Sequence, residues 1–250
     1  MPMKRRVFAI LLALGAVAAH AEPRLYLATE HSPPSSMLED GRVVGIGTDK
    51  VREMMARAGI AYTIELLPWK RAYTAARERA DACVYSTTRT PEREALFKWI
   101  GPTDEADWVL VARAGSGIQP RSLDEARRYT IGTYNGDVRD QYLRERGFKV
   151  DPAPDDLINP KKLMMGRIDL WAAGLRRGGN LLERHGWDKQ LVRVLTFNQI
   201  RVYLACNPGV PDAMVARMNA ALDSMRHDGT MRRIERNYEN WVQAPAGAKH

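Results

Sequence analysis

The sequence predicts an α/β fold built from two similar units. Three observations predict it. Strand-like and helix-like segments alternate through residues 24–86, which favours a parallel or mainly parallel sheet. A second alternating series follows a Gly/Ser/Pro-rich break at residues 115–120. The run Arg79-Ala-Asp81-Ala-Cys-Val is echoed by Arg167-Ile-Asp169-Leu-Trp-Ala, and each copy follows a helix and leads into an apolar strand.

The elements read in order as follows. Residues 24–29 alternate as a first strand, and the prolines within 32–36 break it into a loop. Residues 49–58 form an amphipathic helix with Val51, Met54, Met55 and Ala58 on one face, Asp49 at its start and Gly59 at its end. Residues 62–66 are a second strand, 68–79 a helix with Pro68 in its first turn, and 82–85 a third strand. Residues 107–112 are an apolar strand. Past the break come a strand at 129–133, a helix at 137–146 stopped by Gly147, a short helix at 160–165 and a strand at 168–172. Strands at 191–197 and 202–206 precede a helix at 211–226, striped by Met214, Val215, Met218, Leu222 and Met225. After Gly229 a last helix runs to Trp241, and 243–250 read as a frayed tail.

The first 21 residues read as a secretory signal. Lys4, Arg5 and Arg6 precede an apolar stretch at 7–18, and Ala19-His20-Ala21 offers a cleavage site after Ala21. The apolar part is too short to span a bilayer, and no lipobox cysteine follows. Export would leave 229 of the 250 residues and lower the formal charge from +8 to about +5. The charges are interspersed, which argues against a nucleic-acid footprint. Cys83 and Cys206 either bridge in an oxidising compartment or remain two buried thiols.

Catalytic motifs are mostly missing. The five histidines, at 20, 31, 185, 227 and 250, show no metal-ligand spacing. There is no G-x-S-x-G elbow and no P-loop, and Gly45-Ile-Gly47 lacks the third glycine of a dinucleotide fingerprint. No metal, cofactor or catalytic residue is therefore assigned. The informative stretch is Tyr85-Ser-Thr-Thr-Arg-Thr-Pro-Glu-Arg93, where a strand ends in hydroxyls and a helical turn carries Arg93. Ligands of open α/β sheets bind beyond the carboxyl ends of strands, and an arginine there can grip a carboxylate with two charged hydrogen bonds. The alternative is a Ser/Thr cap with Arg93 on the surface. Trp69, Trp99, Trp108 and Trp171 are core residues by default, with Trp69 and Trp171 the better candidates to stack on a solute.

The ordered set Thr29-Glu30 with Pro33-Pro34, Gly45-Ile-Gly47-Thr-Asp49, Ser86 to Arg93, Ile131-Gly-Thr-Tyr-Asn-Gly136, Gly166-Arg-Ile-Asp169, and Met218-Asn-Ala-Ala-Leu222 before Asp228-Gly229 spans nearly the whole exported chain. It resembles the type II periplasmic solute-binding proteins, the amino-acid-binding family of ABC transporters. Pro68-Trp69-Lys-Arg71 and Phe97-Lys-Trp99-Ile-Gly-Pro102 are similar to a divergent branch of it.

The resemblance implies two lobes, each a mainly parallel sheet flanked by helices, joined by two hinge strands and closing over a small solute. Lobe 1 would take residues 22–111 and 202–242, and lobe 2 residues 112–201. Arg93 would bind the solute carboxylate with help from Ser86 and Thr88. Gly136, Asp137 and Val138 would offer N–H groups to it at a helix start, and Glu30 would lie near its amino group. Trp171 would lie at a strand end facing the cleft. Gly174 aligns just after the strand, where amino-acid binders carry an acid for the ammonium, so amino-acid specificity is left open. Cys83 and Cys206 would sit on neighbouring antiparallel strands. The partners implied are a small, polar, carboxylate-bearing solute and the membrane permease of an ABC importer, with the chain a monomer free in the periplasm. Two alternatives follow from the same fold: a dehydratase acting on a cyclic carboxylate, with Glu30 as proton donor, and a sensor partner of a membrane receptor.

Overall fold

The computed structural model describes residues 24–176, 181–239 and 241. The expected leader and tail lie outside these. The chain opens with β1 (Leu25–Thr29), a hairpin of β2 (Met37–Glu39) and β3 (Arg42–Val44), α1 (Ile46–Ala58), β4 (Tyr62–Leu66), α2 (Trp69–Glu78) and β5 (Ala82–Thr88). β6 (Lys98–Arg113) leads to β7 (Ile131–Tyr134), α3 (Val138–Glu145), β8 (Val150–Ala153), α4 (Asn159–Met164), β9 (Leu170–Arg176) and α5 (Leu181–Arg184). β10 (Leu191–Cys206), α6 (Asp212–His227) and α7 (Thr230–Arg236) complete it, with 3-10 turns at Pro91–Leu96, Asp124–Arg128 and Asp156–Ile158.

Eight strands form one sheet in the order β4-β1-β5-β10-β6-β9-β7-β8. β1 pairs parallel with β4 and β5, and β7 with β8 and β9. β10 pairs antiparallel with β5 and β6, and β6 antiparallel with β9. The expectation of mainly parallel sheets is thus corrected to a mixed sheet. The cause is the central pair: β6 and β10 each run for 16 residues and bring an antiparallel partner to every strand they touch. Residues 191–197 and 202–206 are one strand rather than two, because Asn198 to Arg201 stay paired with Trp108 to Glu105. Three register shifts along this pair bend it.

Alternation along the strands divides the core between the two faces of the sheet. At one end, Leu25, Leu27 and Tyr85 pack on Met54 and Met55 of α1 and on Met218 and Leu222 of α6. Ala28 and Val84 face the other way, onto Ala72 and Ala76 of α2. At the opposite end, Val109 and Val111 pack with Leu163 and Trp171, while Leu110 and Ala112 pack with Leu143 and Phe148. Each such large apolar side chain contributes about 1.5–3 kcal/mol on burial.

α1 starts at Ile46, three residues before the expected Asp49. The N–H groups of Ile46, Gly47 and Thr48 donate to the carbonyls of Pro34 and Ser35, so a loop backbone caps the helix in place of a side chain. Gly45 makes this possible: its φ is 125°, and a Cβ there would lie 2.5 Å from the Ser35 carbonyl oxygen. Cys83 of β5 and Cys206 of β10 are register partners and are joined by a disulfide. Among the described residues no helix is long and apolar enough to cross a membrane.

Candidate functional site

Sheet topology brings the carboxyl ends of β1 and β5 opposite that of β7, with the middle of β6 and β10 between them. Two hydrogen bonds span the gap. The Tyr134 hydroxyl donates to Glu30 Oε1 (2.9 Å), and Trp69 Nε1–H donates to the Gly136 carbonyl (3.0 Å). Beside them lies a cavity of about 190 Å³. It is smaller than the roughly 300–1,000 Å³ of sites for drug-sized ligands and suits a small metabolite. A more open groove of about 730 Å³ shares Thr88, Trp108 and Val138 with it and runs between residues 88–92 and α3.

Glu30, Ser86, Thr88, Asp137, Val138 and Trp171 all line the cavity. Ser86 sits where β5 bulges, with two residues between Val84 and Thr87 against one on β10. Its φ of 60° is unusual for a residue with a Cβ, and its hydroxyl lies 3.0 Å from that of Ser35 on the helix-capping loop. Trp69 and Gly136, also expected at the site, are not in the cavity lining; they are bonded to each other beside it. Three further placements differ from expectation. Arg93 is buried but is not in the cavity lining: its guanidinium lies 4.9 Å over the Tyr73 ring and donates only a long bond to the Thr88 carbonyl (3.5 Å). No carboxylate lies in ion-pair distance of it among the described residues. Trp171 is the second residue of β9 rather than at its end. Gly174 lies inside β9, paired with Trp108, because the strand runs on to Arg176.

Several lining residues were not singled out from sequence. Arg139, on the first turn of α3, is buried between two acids. Its Nε donates to Asp137 Oδ1 (2.6 Å), its Nη2 to Asp156 Oδ2 (2.9 Å) and its Nη1 to the Ala172 carbonyl (3.1 Å). Asp156 also accepts from Trp171 Nε1 (2.7 Å). A Cβ on Gly174 would lie 3.2 Å from Arg139 Nη1, so the guanidinium fills the room beside that glycine. Lys50 of α1 is fully buried at the cavity base and pairs with Asp104 (3.1 Å) and Glu235 (2.7 Å). The available signal was positional: Asp156 follows the carboxyl end of β8, and Arg139 follows the helix-capping Asp137.

Burial, and next the charge of Asp137, push the Glu30 carboxyl up to about 8, although the Tyr134 hydrogen bond works against this. Burial likewise carries the Tyr134 hydroxyl well above its ordinary value, helped by Asp137 and Glu30. Burial raises Asp156 against the pull of Arg139. Burial disfavours charge on Arg139, but Asp137 and Asp156 outweigh it and keep the guanidinium protonated. Burial lowers His31, which also lines the cavity. Among the described residues, no group of three or more His, Cys, Asp or Glu side chains could hold a metal ion.

Residues 25–241 match the family of bacterial extracellular solute-binding proteins, family 3, and the chain belongs to that family. No match was found among curated protein sequences. Solved structures are similar across most of the chain. A histidine kinase sensor domain with similarity to periplasmic binding proteins superposes with a TM-score of 0.79 at 17% identity, covering 88% of this chain and 98% of its own. The arginine-, lysine-, histidine-binding protein ArtJ from the thermophilic bacterium Geobacillus stearothermophilus gives 0.77 at 17%, covering 88% and 97%. An ancestral arginine-binding protein bound to arginine gives 0.74 at 22%, covering 88% and 98%. These likenesses establish the fold, the α/β type II periplasmic-binding-protein fold.

Proposed function

We propose, from its place in this family, that the chain captures a small polar solute, an amino acid or related carboxylate-bearing metabolite, and delivers it to the permease of an ABC importer. The two ends of the sheet act as lobes, and β6 and β10 act as the hinge between them. The observation that carries this reading is the cavity of about 190 Å³ lined from both sides of the long strands. Ser86 and Thr88 supply hydroxyls, and the Trp69–Gly136 hydrogen bond ties the two sides together next to the cavity. Arg93, which lies behind Thr88 and outside the present lining, takes the carboxylate when the solute draws its guanidinium from the Tyr73 ring. A buried guanidinium on an aromatic face without a carboxylate partner is what a site awaiting its anion requires. The protein works in the periplasm as a monomer, after removal of its leader.

A thermal-shift screen against amino acids and small organic acids tests the reading, since a tight binder raises the melting temperature by mass action. At least one compound is expected to do so, and Arg93→Ala is expected to weaken it about a hundredfold. Unchanged affinity in Arg93→Ala would remove Arg93 from the site. The raised Glu30 carboxyl favours one other reading, an enzyme in which it donates a proton. Conversion of a cyclic carboxylate by the protein, lost in Glu30→Gln, would replace transport by catalysis.

A further inference from the structure

We propose that Arg139 sets the size limit of the cavity: with Gly174 it forms a fixed wall on the β7–β9 side, so that the site takes a solute with a short carbon skeleton and refuses its longer homologues. The inference rests on the solute-binding reading and names the size class of the solute.

The wall begins with a missing side chain. Gly174 lies within β9 and lines the cavity. Its chain neighbours aside, a Cβ there would meet only Arg139 within 4 Å among the described residues, Nη1 at 3.2 Å and Cζ at 3.7 Å. The first contact is tight, so glycine is the residue that lets the guanidinium lie against the strand. Arg139 lines the cavity as well, and the volume of about 190 Å³ is what remains with this side chain in place.

A wall selects by size only if it cannot step aside. Arg139 is 6% exposed and is held from four directions. Its Nε donates to Asp137, its Nη2 to Asp156 and its Nη1 to the Ala172 carbonyl, and its guanidinium lies 5.3 Å from the centre of the Tyr134 ring. The groups that hold it are themselves fixed. Asp156 Oδ1 accepts from Trp171 Nε1 (2.7 Å) and Asn159 Nδ2 (3.3 Å), Asp137 Oδ1 accepts from the Arg139 backbone N–H (2.9 Å), and the Tyr134 hydroxyl is bonded to Glu30. Moving the guanidinium would break three hydrogen bonds and leave two carboxylates without their cation, which is costly. A longer solute therefore overpacks the cavity instead of pushing the wall back.

The test uses the exported full-length protein, calorimetry and two homologous series of probes. One runs through L-alanine, L-2-aminobutyrate, L-norvaline and L-norleucine, the other through succinate, glutarate, adipate and pimelate. In at least one series a short member is expected to bind, and affinity to fall about tenfold or more on adding the methylene that reaches the wall. Arg139→Lys keeps a cation between the two acids but lacks the planar fork that fills the space beside Gly174. It is expected to move the drop to a longer homologue, the first excluded member gaining about tenfold while the shortest stays nearly unchanged. Equal loss along the whole series would make Arg139 a support of the fold alone and overturn the proposal. Gly174→Ala adds a methyl group at the wall and is expected to move the drop toward the shorter end; it carries the test where Arg139→Lys does not fold. Equal affinities along a series that binds, or a drop that neither variant moves, overturn the size limit. Binding of a long or aromatic amino acid such as L-arginine or L-tryptophan in place of the short probes overturns it too, and leaves the solute-binding reading standing. Silence from both series and from every amino acid and small organic acid overturns both.

Discussion

Glu30 illustrates what burial does to a single side chain. Its carboxyl stands near 8 in the folded protein against about 4.5 when free. Between those values the folded state binds the proton that the unfolded state has released. Stability therefore falls as pH rises through this window, by up to about 1.4 kcal/mol per pH unit from this group alone. Glu30→Gln keeps the shape and removes the titration. Melting temperatures across pH 5–8 are expected to show the variant gaining on the parent as pH rises. Parallel profiles would mean that Glu30 titrates normally. At this scale the site was partly legible in the chain. Glu30, Ser86, Thr88 and Asp137 stand at strand ends and a helix cap, where local rules place polar groups. Arg139 and Asp156 were not legible, because their meaning is a pairing across 17 positions that only packing creates. Arg93 was legible as a charge but not as a buried one, since nothing local to it announces the Tyr73 ring.

The loop over Pro34 and Ser35 serves two elements at once. Its carbonyls cap α1, and its Ser35 side chain lines the cavity and touches Ser86. Both depend on the close approach at Gly45. Gly45→Ala is expected to cost roughly 2–4 kcal/mol in chemical denaturation, because a Cβ must meet backbone oxygen in a conformation that L-residues avoid. A cost below about 0.5 kcal/mol would show that the loop yields freely. Most helices were readable from the spacing of apolar residues, as Met214, Met218, Leu222 and Met225 on α6 illustrate. Strand limits were less readable. Residues 98–106 of β6 and 198–201 of β10 are polar or mixed, so alternation gives no signal there, and it is pairing with each other that makes them strand. β8 and the β2–β3 hairpin are three or four residues each, too short to show a period.

At the scale of the molecule, one covalent link acts on the whole chain. The Cys83–Cys206 disulfide lies fully buried in the first core and closes a loop with a sequence separation of 123 residues. Chain-entropy arguments put the stabilisation from closing a loop of this length in the range of about 2–5 kcal/mol. A Cys83→Ala/Cys206→Ala double variant is expected to lose that amount in denaturant melts, and no loss would show the bridge to be dispensable. The bridge sits at the near end of β10, close to where the chain departs along β6 and returns, so every residue from β6 through β9 hangs between its two sulfurs. A single backbone cut anywhere in that span leaves one covalently continuous molecule, whose two pieces separate only once the bridge is reduced. Proteases that cut between β6 and β9 would therefore nick the protein before they could take it apart.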